Sequence, residues 1–581
     1  MFWGKERGTW IPWTWSNLIR DSHSYAAGHF EMGLKPGDRA AIFTGNRPEW
    51  FIADFGIQSA GGVSVPVYMH SNLEHIEFVL GHSEARTVLV DTEERLESLL
   101  EVEPKLPKLE RIIATEQVTI PDHPKVCHLS SFLEEGNSPK QHEEVVESIR
   151  GLDPNVTCTI SYTSGTTGIP KGVMLNPSNF MFVLENSEKN KDFISGDNEV
   201  TMSYLPLAHI AQRLGDYTSL YHGAQIYCID DVYTFADELP QIRPTLFVAV
   251  PRILEKLYEK IHDAVRKANP RRQKIFAWAE RQAHANYTRF KAGKKATPGE
   301  WVQWKLADTL VFRKIRNAIG GRVQAIVVGG SPLPPRIGSF FYGAGMPVFE
   351  VYGLTETTAP ISHPSPDDIR YGTVGKVIEG GELKLGDDNE VLFRGPNVFQ
   401  GYFRRPEATS EVLTKDGWFH TGDLGSMDNE GNLLITGRKK DLIITAGGKN
   451  IAPAPIEEKL RRHHLVSQAV VIGDNQKYLV ALLTLDSEIL EDELKSRGLQ
   501  AEDMTLLAED TGIMETLEAH VSKVNESLAR VETLKGYKIL RREFSPETGE
   551  LTLSMKIRRN VVYENHDHAI RELYGNDFLV V

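Results

Sequence analysis

Residues 159–175, TISYTSGTTGIPKGVML, hold the densest chemistry in the chain. A short apolar run leads into Thr163, Ser164, Gly165, Thr166, Thr167 and Gly168, and Pro170, Lys171 and Gly172 follow. Glycines let backbone N–H groups crowd an anion with no Cβ in the way, and the hydroxyls between them add donors. Lys171 supplies a mobile positive charge, so the segment reads as a cradle for a polyphosphate. It is not a Walker A loop, which needs a glycine immediately before the lysine, where this chain has Pro170. Nor does a GxGxxG fingerprint stand at a strand–helix junction. No Ser–His–Asp order is evident.

The elements that must hold this loop are legible from periodicity. Apolar runs at 39–45, 61–68, 85–91 and 157–165, separated by helical stretches, predict parallel strands. The polar, proline-bearing stretch 104–150 reads as a surface excursion. Leu254, Leu257, Ile261 and Val265 begin a long helical insertion over 252–316, interrupted near Asn269-Pro270 and 295–299. Strand patterns return at 322–330 and 347–353, each ending at glycine. Beyond about 380 the texture becomes short strands and turns, punctuated by Asp387-Asp388-Asn389 and Asn429-Glu430-Gly431. Residues 441–581 mix helices and strands and are long enough for a small α+β domain of their own.

At 581 residues the chain exceeds what one hydrophobic core usually supports, roughly 250–300 residues. A formal net charge of −14 argues against general nucleic-acid binding. From Arg252 to Arg316, however, 17 Lys/Arg face 6 Asp/Glu, a balance of +11 that leaves −25 elsewhere. That basic segment is a candidate for contact with anionic lipid or ligand phosphates. Cys127, Cys158 and Cys228 have no metal-ligand or CxxC spacing. No apolar stretch approaches a membrane span, and the first residues lack the pattern of a signal peptide; a reducing, cytoplasmic setting is the expectation.

TSGTTGIPKG resembles the signature of the adenylate-forming superfamily, which includes acyl-CoA synthetases, luciferases and nonribosomal-peptide adenylation domains. Further matches follow in that superfamily's order: SYLPLAHIAQR (203–213), VVGGSPLP (327–334), VYGLTETT (351–358), GWFHTGDLG (417–425), GRKKDLIITAGGKNIAPAPIE (437–457) and ELTLSMKIRR (550–559). The resemblance spans about Trp15 to Tyr574 and is strongest to the long-chain and very-long-chain fatty acid branch.

The resemblance implies an α/β fold with a large, multi-subdomain N-terminal adenylation body, 1–437, that includes a distorted β-barrel portion. A hinge at 438–440 would join it to a mobile C-terminal domain, 441–581. It implies ATP-dependent activation of a long-chain fatty acid as acyl-AMP, release of pyrophosphate, and transfer to coenzyme A. In that picture the loop from Thr163 to Lys171 holds the phosphates, and Thr166 and Glu356 hold Mg²⁺. Thr355 contacts the α-phosphate, while Tyr352 and Gly353 border the adenine. Gly329, Gly330 and Ser331 lie beneath the nucleotide. Asp423 accepts the ribose hydroxyls, with Arg438 as a second contact. Lys556 bridges carboxylate and α-phosphate oxygens during adenylation, Lys440 marks the hinge, and Gly447, Gly448 and Lys449 border the pantetheine path. His209 lines the mouth between acyl group and thiol.

Two departures from the superfamily pattern stand out. Leu553 replaces a common proline, and no histidine precedes Asn179 where one is usual. Transfer to a carrier protein, a shorter or aromatic acid, an inactive lipid-binding scaffold and a homodimer remain open alternatives.

Overall fold

The computed structural model describes residues 1–6, 8–163, 169–189, 198–231, 234–487, 489–490, 510–545, 547–552 and 556–575. It comprises two compact units. The first is Met1–Leu383 with Phe393–Phe419 and Asp428–Leu433; the second is Lys384–Leu392 and His420–Met427 with Leu434–Val581. The units thus interleave along the chain between 384 and 434.

The largest sheet of the first unit has eight strands. Their order is Gly401–Tyr402, Lys171–Leu175, Thr159–Thr163, Val63–Pro66, Arg39–Phe43, Thr87–Val90, Arg111–Ala114 and Val126–His128. From Thr159–Thr163 outward to Val126–His128 every pairing is parallel, which the apolar runs predicted for the four strands between 39 and 163 nearest the loop. These strands read as unbroken apolar runs because both faces are covered. The other edge is antiparallel: Thr159–Thr163 pairs with Lys171–Leu175, which pairs with Gly401–Tyr402.

One expectation is corrected. The stretch 104–150 is not a surface excursion: Arg111–Ala114 and Val126–His128 extend the sheet, and Leu129–Glu135 and Pro139–Gly151 are helices. Ile112, Ile113, Phe132 and Val145 are fully buried there. Ile112 and Ile113 among many polar residues are enough for a short parallel strand, and their signal is lost in a composition average. An N-terminal hairpin was likewise not read: Phe2–Glu6 pairs with Thr9–Trp13 and lies parallel to Gln225–Cys228.

Beneath the loop strand sits a buried charge. The Arg213 guanidinium, 1% exposed, pairs with Asp54 at 2.5 Å and donates to Thr159 Oγ1 at 2.7 Å and Ser64 Oγ at 3.0 Å. It thereby ties the helices Pro48–Ser59 and Ile210–Tyr221 to the strand that delivers the phosphate loop. The helical insertion forms as expected: Pro251–Arg266, Pro270–Lys291 and Pro298–Ala307, continued by Asp308–Phe312 and Arg313–Ala318. Asn269 and Thr297 cap the second and third helices through their side chains, at the two predicted interruptions. Phe276, Ala279, Ala283 and Phe312 bury its inner face.

The second unit is built on Val466–Ile472, Leu479–Leu485 and Leu534–Leu540, antiparallel then parallel. All seven residues of the central strand are buried, with a separate apolar cluster on each face. Among the described residues, no helix is long and apolar enough to cross a membrane.

Candidate active site

In the first unit the phosphate-loop segment is a β–β connection. Thr163 pairs with Lys171 and Tyr162 with Gly172, so Lys171 opens an antiparallel strand, whereas a Walker lysine opens a helix. Gly172 is dictated by packing: a Cβ there would meet Ile160 Cγ2 at 2.7 Å. Ser164, Gly165, Thr166, Thr167 and Gly168 lie outside the described residues.

Lys171 is half-buried, its ammonium 4.8 Å from the centroid of the Tyr402 ring. The Tyr402 hydroxyl in turn donates to Glu356 Oε1 at 2.8 Å. One aromatic side chain therefore joins the lysine of the loop to the carboxylate of VYGLTETT. Burial and the neighbouring Glu356 carboxylate push the Tyr402 hydroxyl far above its ordinary pKa, so it stays a donor. Backbone bonds fix the arrangement. Phe399 N donates to Glu356 O at 2.8 Å, and Gln400 N and Phe403 N donate to Met174 O and Gly172 O.

The turn carrying Glu356 is held from below by Asn397, which is wholly buried and donates to Thr357 O at 2.7 Å. Thr358 donates to Asn397 O at 2.9 Å, and Thr358 and Ala359 take left-handed φ values of 48° and 67°. Gly353 is needed where Tyr352–Leu354 crosses Ala359–His363, since a Cβ would sit 2.0 Å from Ala359 O.

Leu246–Ala249, Ala325–Val328 and Val348–Glu350 form a parallel sheet whose carboxyl ends carry the remaining first-unit candidates. Gly329, Gly330 and Ser331 follow one strand; Tyr352, Gly353, Thr355 and Glu356 follow its neighbour. Ligands of open α/β sheets bind at such strand ends. His209 caps the helix Ile210–Tyr221, its Nδ1 accepting from Ala211 N at 3.2 Å, so the ring has a structural duty.

In the second unit, Asp423 is 4% exposed and its Oδ1 lies 2.8 Å from Arg438 Nε. Asp423 N donates to Thr421 Oγ1 at 3.1 Å, and that hydroxyl donates to Val391 O at 2.8 Å. A buried carboxylate paired with a partly exposed guanidinium suits a vicinal diol: the first accepts from both hydroxyls and the second donates. Next to Arg438, Lys439 is tethered to Asp388 at 2.6 Å and Glu390 at 3.1 Å, while Lys440 is exposed in the turn Lys439–Asp441. Gly447, Gly448 and Lys449 form the exposed tip of a hairpin between Ile443–Ile444 and Asn450–Ile451. Lys556 is exposed on another short hairpin, where Thr552 N donates to Lys556 O at 2.8 Å and Lys556 N to Thr552 Oγ1 at 3.0 Å.

Tyr402, Asn397 and Arg213 were not among the residues singled out from sequence. Tyr402 stands in NVFQGYF, a segment with no chemical spacing of its own, and Asn397 looks like any loop asparagine. Among the described residues, no cluster of three or more His, Cys, Asp or Glu could hold a metal ion.

Comparison with known proteins gives a consistent picture. A model of AMP-binding enzymes matches residues 3–403, and a model of the AMP-binding enzyme C-terminal domain matches residues 440–577. The chain is similar to the long-chain-fatty-acid–CoA ligase FadD15 of Mycobacterium bovis, 36% identical over 578 residues, 98% of this chain and 93% of that one. It is also similar to the human long-chain-fatty-acid–CoA ligase ACSBG1, 32% identical over 605 residues, 98% of this chain and 82% of that one. Among solved structures, the anthranilate CoA ligase AuaEII in complex with anthranoyl-AMP superposes with a TM-score of 0.71 at 18% identity, covering 98% of this chain and 94% of the other. The adenylation domain of a carboxylate reductase from Mycobacterium chelonae gives 0.73 at 19% identity, covering 99% and 88%.

Proposed function

The chain belongs to the AMP-binding enzyme family, and from that premise we propose that it is a long-chain fatty acid–CoA ligase. It activates the acid with ATP as acyl-AMP, releases pyrophosphate and passes the acyl group to coenzyme A. The observation that carries this reading is the Lys171–Tyr402–Glu356 constellation beside the strand ends bearing Gly329–Ser331 and Tyr352–Thr355, in a chain 36% identical to a long-chain ligase.

A fatty carboxylate is already a nucleophile, so attack on the α-phosphorus needs no general base. The barrier is the approach of two anions and the charge on departing pyrophosphate, which cations and hydrogen-bond donors lower. Lys171 supplies that charge at the terminal phosphates and Thr355 a donor at the α-phosphate. Tyr352 packs on the adenine with Gly353, and Gly329, Gly330 and Ser331 floor the nucleotide. Asp423 and Arg438 take the ribose hydroxyls. Among the described residues no cluster of three or more acidic, histidine or cysteine ligands stands here, so a cation would depend chiefly on phosphate oxygens and water, which suits Mg²⁺. Glu356 would hold it, with Thr166; bound there, Mg²⁺ neutralises phosphate charge. Lys556 is assigned to adenylation and the tip Gly447, Gly448 and Lys449 to the thiol step. Lys440, exposed beside the tethered Lys439, is assigned as the hinge, with 1–437 and 441–581 as the bodies it joins. His209 is assigned to the mouth shared by acyl group and thiol.

The test is acid-dependent ATP–pyrophosphate exchange across fatty acids of increasing length, followed by addition of coenzyme A or a phosphopantetheinylated carrier protein. Exchange rising with chain length and acyl-CoA on adding the thiol are expected. No AMP with any acid overturns the assignment, and transfer to the carrier alone redirects it.

A second proposal concerns where the substrate is met. The helical insertion exposes Trp301 at 57%, Val302 at 49%, Leu306 at 51% and Leu310 at 46%, between Lys305, Arg313 and Lys314. Apolar side chains rimmed by lysine and arginine suit the headgroup layer of an anionic bilayer, in which fatty acids dissolve. Binding to phosphatidylglycerol vesicles that weakens with salt is expected; none, or binding indifferent to salt, removes the proposal.

A further inference from the structure

The hairpin that bears Lys556 is closed at its base by one fully buried carboxylate. Glu550 is 0% exposed, and four side chains donate to it. Arg542 donates twice, at 2.6 and 2.9 Å, Thr548 at 2.7 Å, Asn565 at 3.1 Å, and the His566 ring nitrogen lies 2.9 Å away. Around that carboxylate the two legs of the hairpin are laddered. Arg558 N donates to Glu550 O at 2.8 Å, Leu551 bridges Ile557, and Thr552 and Lys556 exchange the closing pair of bonds. Arg558 also reaches Gly549 O at 3.3 Å. Glu550 therefore lies six residues before Lys556 in sequence but only two rungs below it in the ladder.

A buried ionised group is costly to desolvate unless fully paired, and an apolar residue would often hold a hairpin as well, so the carboxylate at this position points to a use beyond stability. What a saturated carboxylate supplies is a fixed position: donors from four side chains hold both of its oxygens. Burial would raise its pKa, but Arg542, Thr548, Asn565 and His566 hold it down at about 2, so the clamp stays charged at neutral pH.

We propose that Glu550 is a positioning residue for adenylation, its clamped carboxylate fixing where the hairpin presents the Lys556 ammonium. The proposal rests on the adenylation role assigned to Lys556. Glu550 touches no reacting atom; it acts through the lysine. Because the thiol step is assigned to the hairpin tip at 447–449, loosening the clamp should spare that step.

The experiment measures two half-reactions separately, ATP–pyrophosphate exchange and thioester formation from supplied acyl-adenylate, in Glu550→Gln, Lys556→Ala and the double variant. Glutamine keeps the shape and one acceptor but loses the charge that Arg542 reads. Glu550→Gln should lower exchange about tenfold or more while thioester formation stays within about twofold. In the Lys556→Ala background the same change should cost nothing further, since the lysine it positions is gone. Equal loss of both half-reactions, or losses that multiply in the double variant, overturn the proposal. If Glu550→Gln does not fold, Arg542→Gln removes two of the same bonds from the exposed side and is read in the same way. Lys556→Ala alone is the control: if it fails to suppress exchange selectively, the assignment of the lysine falls, and the error is traced to that reading and not to the clamp.

Discussion

Lys171 in the first unit and Lys556 in the second both stand on one leg of an antiparallel β pair, yet they are held in opposite ways. Lys171 is half-buried over Tyr402, and its surroundings are assembled from chain segments distant in sequence: its own strand, the edge strand Gly401–Tyr402 and the Glu356 turn. Lys556 is exposed, and its hairpin is braced by residues within 16 positions of Glu550. On the roles proposed for the two lysines, the difference teaches that a charge used at one fixed place is built into a sheet, whereas a charge used in one of two reactions is mounted on a self-contained lever. The first should fail with the fold of its unit; the second should fail alone.

The largest effect expected is on the lever. Lys556→Ala should reduce ATP–pyrophosphate exchange by roughly two orders of magnitude or more and leave thioester formation from acyl-adenylate intact. Equal loss of both would make the two lysines alike and erase the contrast. Next comes the frame under the fixed site. Arg213→Met leaves Asp54 charged and buried, which should cost the first unit about 3–5 kcal/mol in calorimetric unfolding. Unchanged unfolding would show that the pair does not brace the loop strand.

A smaller effect separates the ring of Tyr402 from its hydroxyl. Tyr402→Phe keeps the face under Lys171 but frees the Glu356 carboxylate, and kcat/KM for ATP should fall about tenfold, worth ~1.4 kcal/mol. A variant indistinguishable from the parent in a magnesium titration of the rate would remove Tyr402 from the site.

The last effects are pH slopes of opposite sign. Burial raises the Asp216 carboxyl to about 7, against hydrogen bonds from Ser203 and Gln212. The folded state then holds a proton that the unfolded chain has lost, so the first unit should lose stability as pH rises from about 4 to 7. Glu550 is the reverse: with its pKa depressed to about 2 from 4.5, its stabilisation is complete above pH 4.5 and is lost as pH falls toward 2. Each slope is at most about 1.4 kcal/mol per pH unit, and Asp216→Asn and Glu550→Gln should flatten one each. Melting temperatures recorded across pH 2–8 for both variants check the signs.

The motifs were legible because their information is local. A loop that cradles phosphate needs its glycines, hydroxyls and lysine within a few residues, and a strand buried on both faces needs an unbroken apolar run such as LVALLTL. The stretch 104–150 was misread for the complementary reason. Its strands are only four and three residues long, and they are recognised by the sheet they complete, not by their own pattern. The N-terminal hairpin fails similarly, since Gly4, Lys5 and Glu6 in one strand and Pro12 in the other break the apolar pattern of its short strands.

What the sequence determined alone is the chemistry on offer: the phosphate loop with Lys171, the carboxylates Glu356 and Asp423, the paired Arg438, the lysine at 556 and the parallel strands before residue 100. What only the tertiary structure decided is which of these meet, and through whom. Tyr402 reaches Glu356 across 46 residues, and Arg213 reaches Asp54 across 159. Such partners leave no trace in spacing, because a folded sheet, not the chain's own periodicity, sets the distance between them.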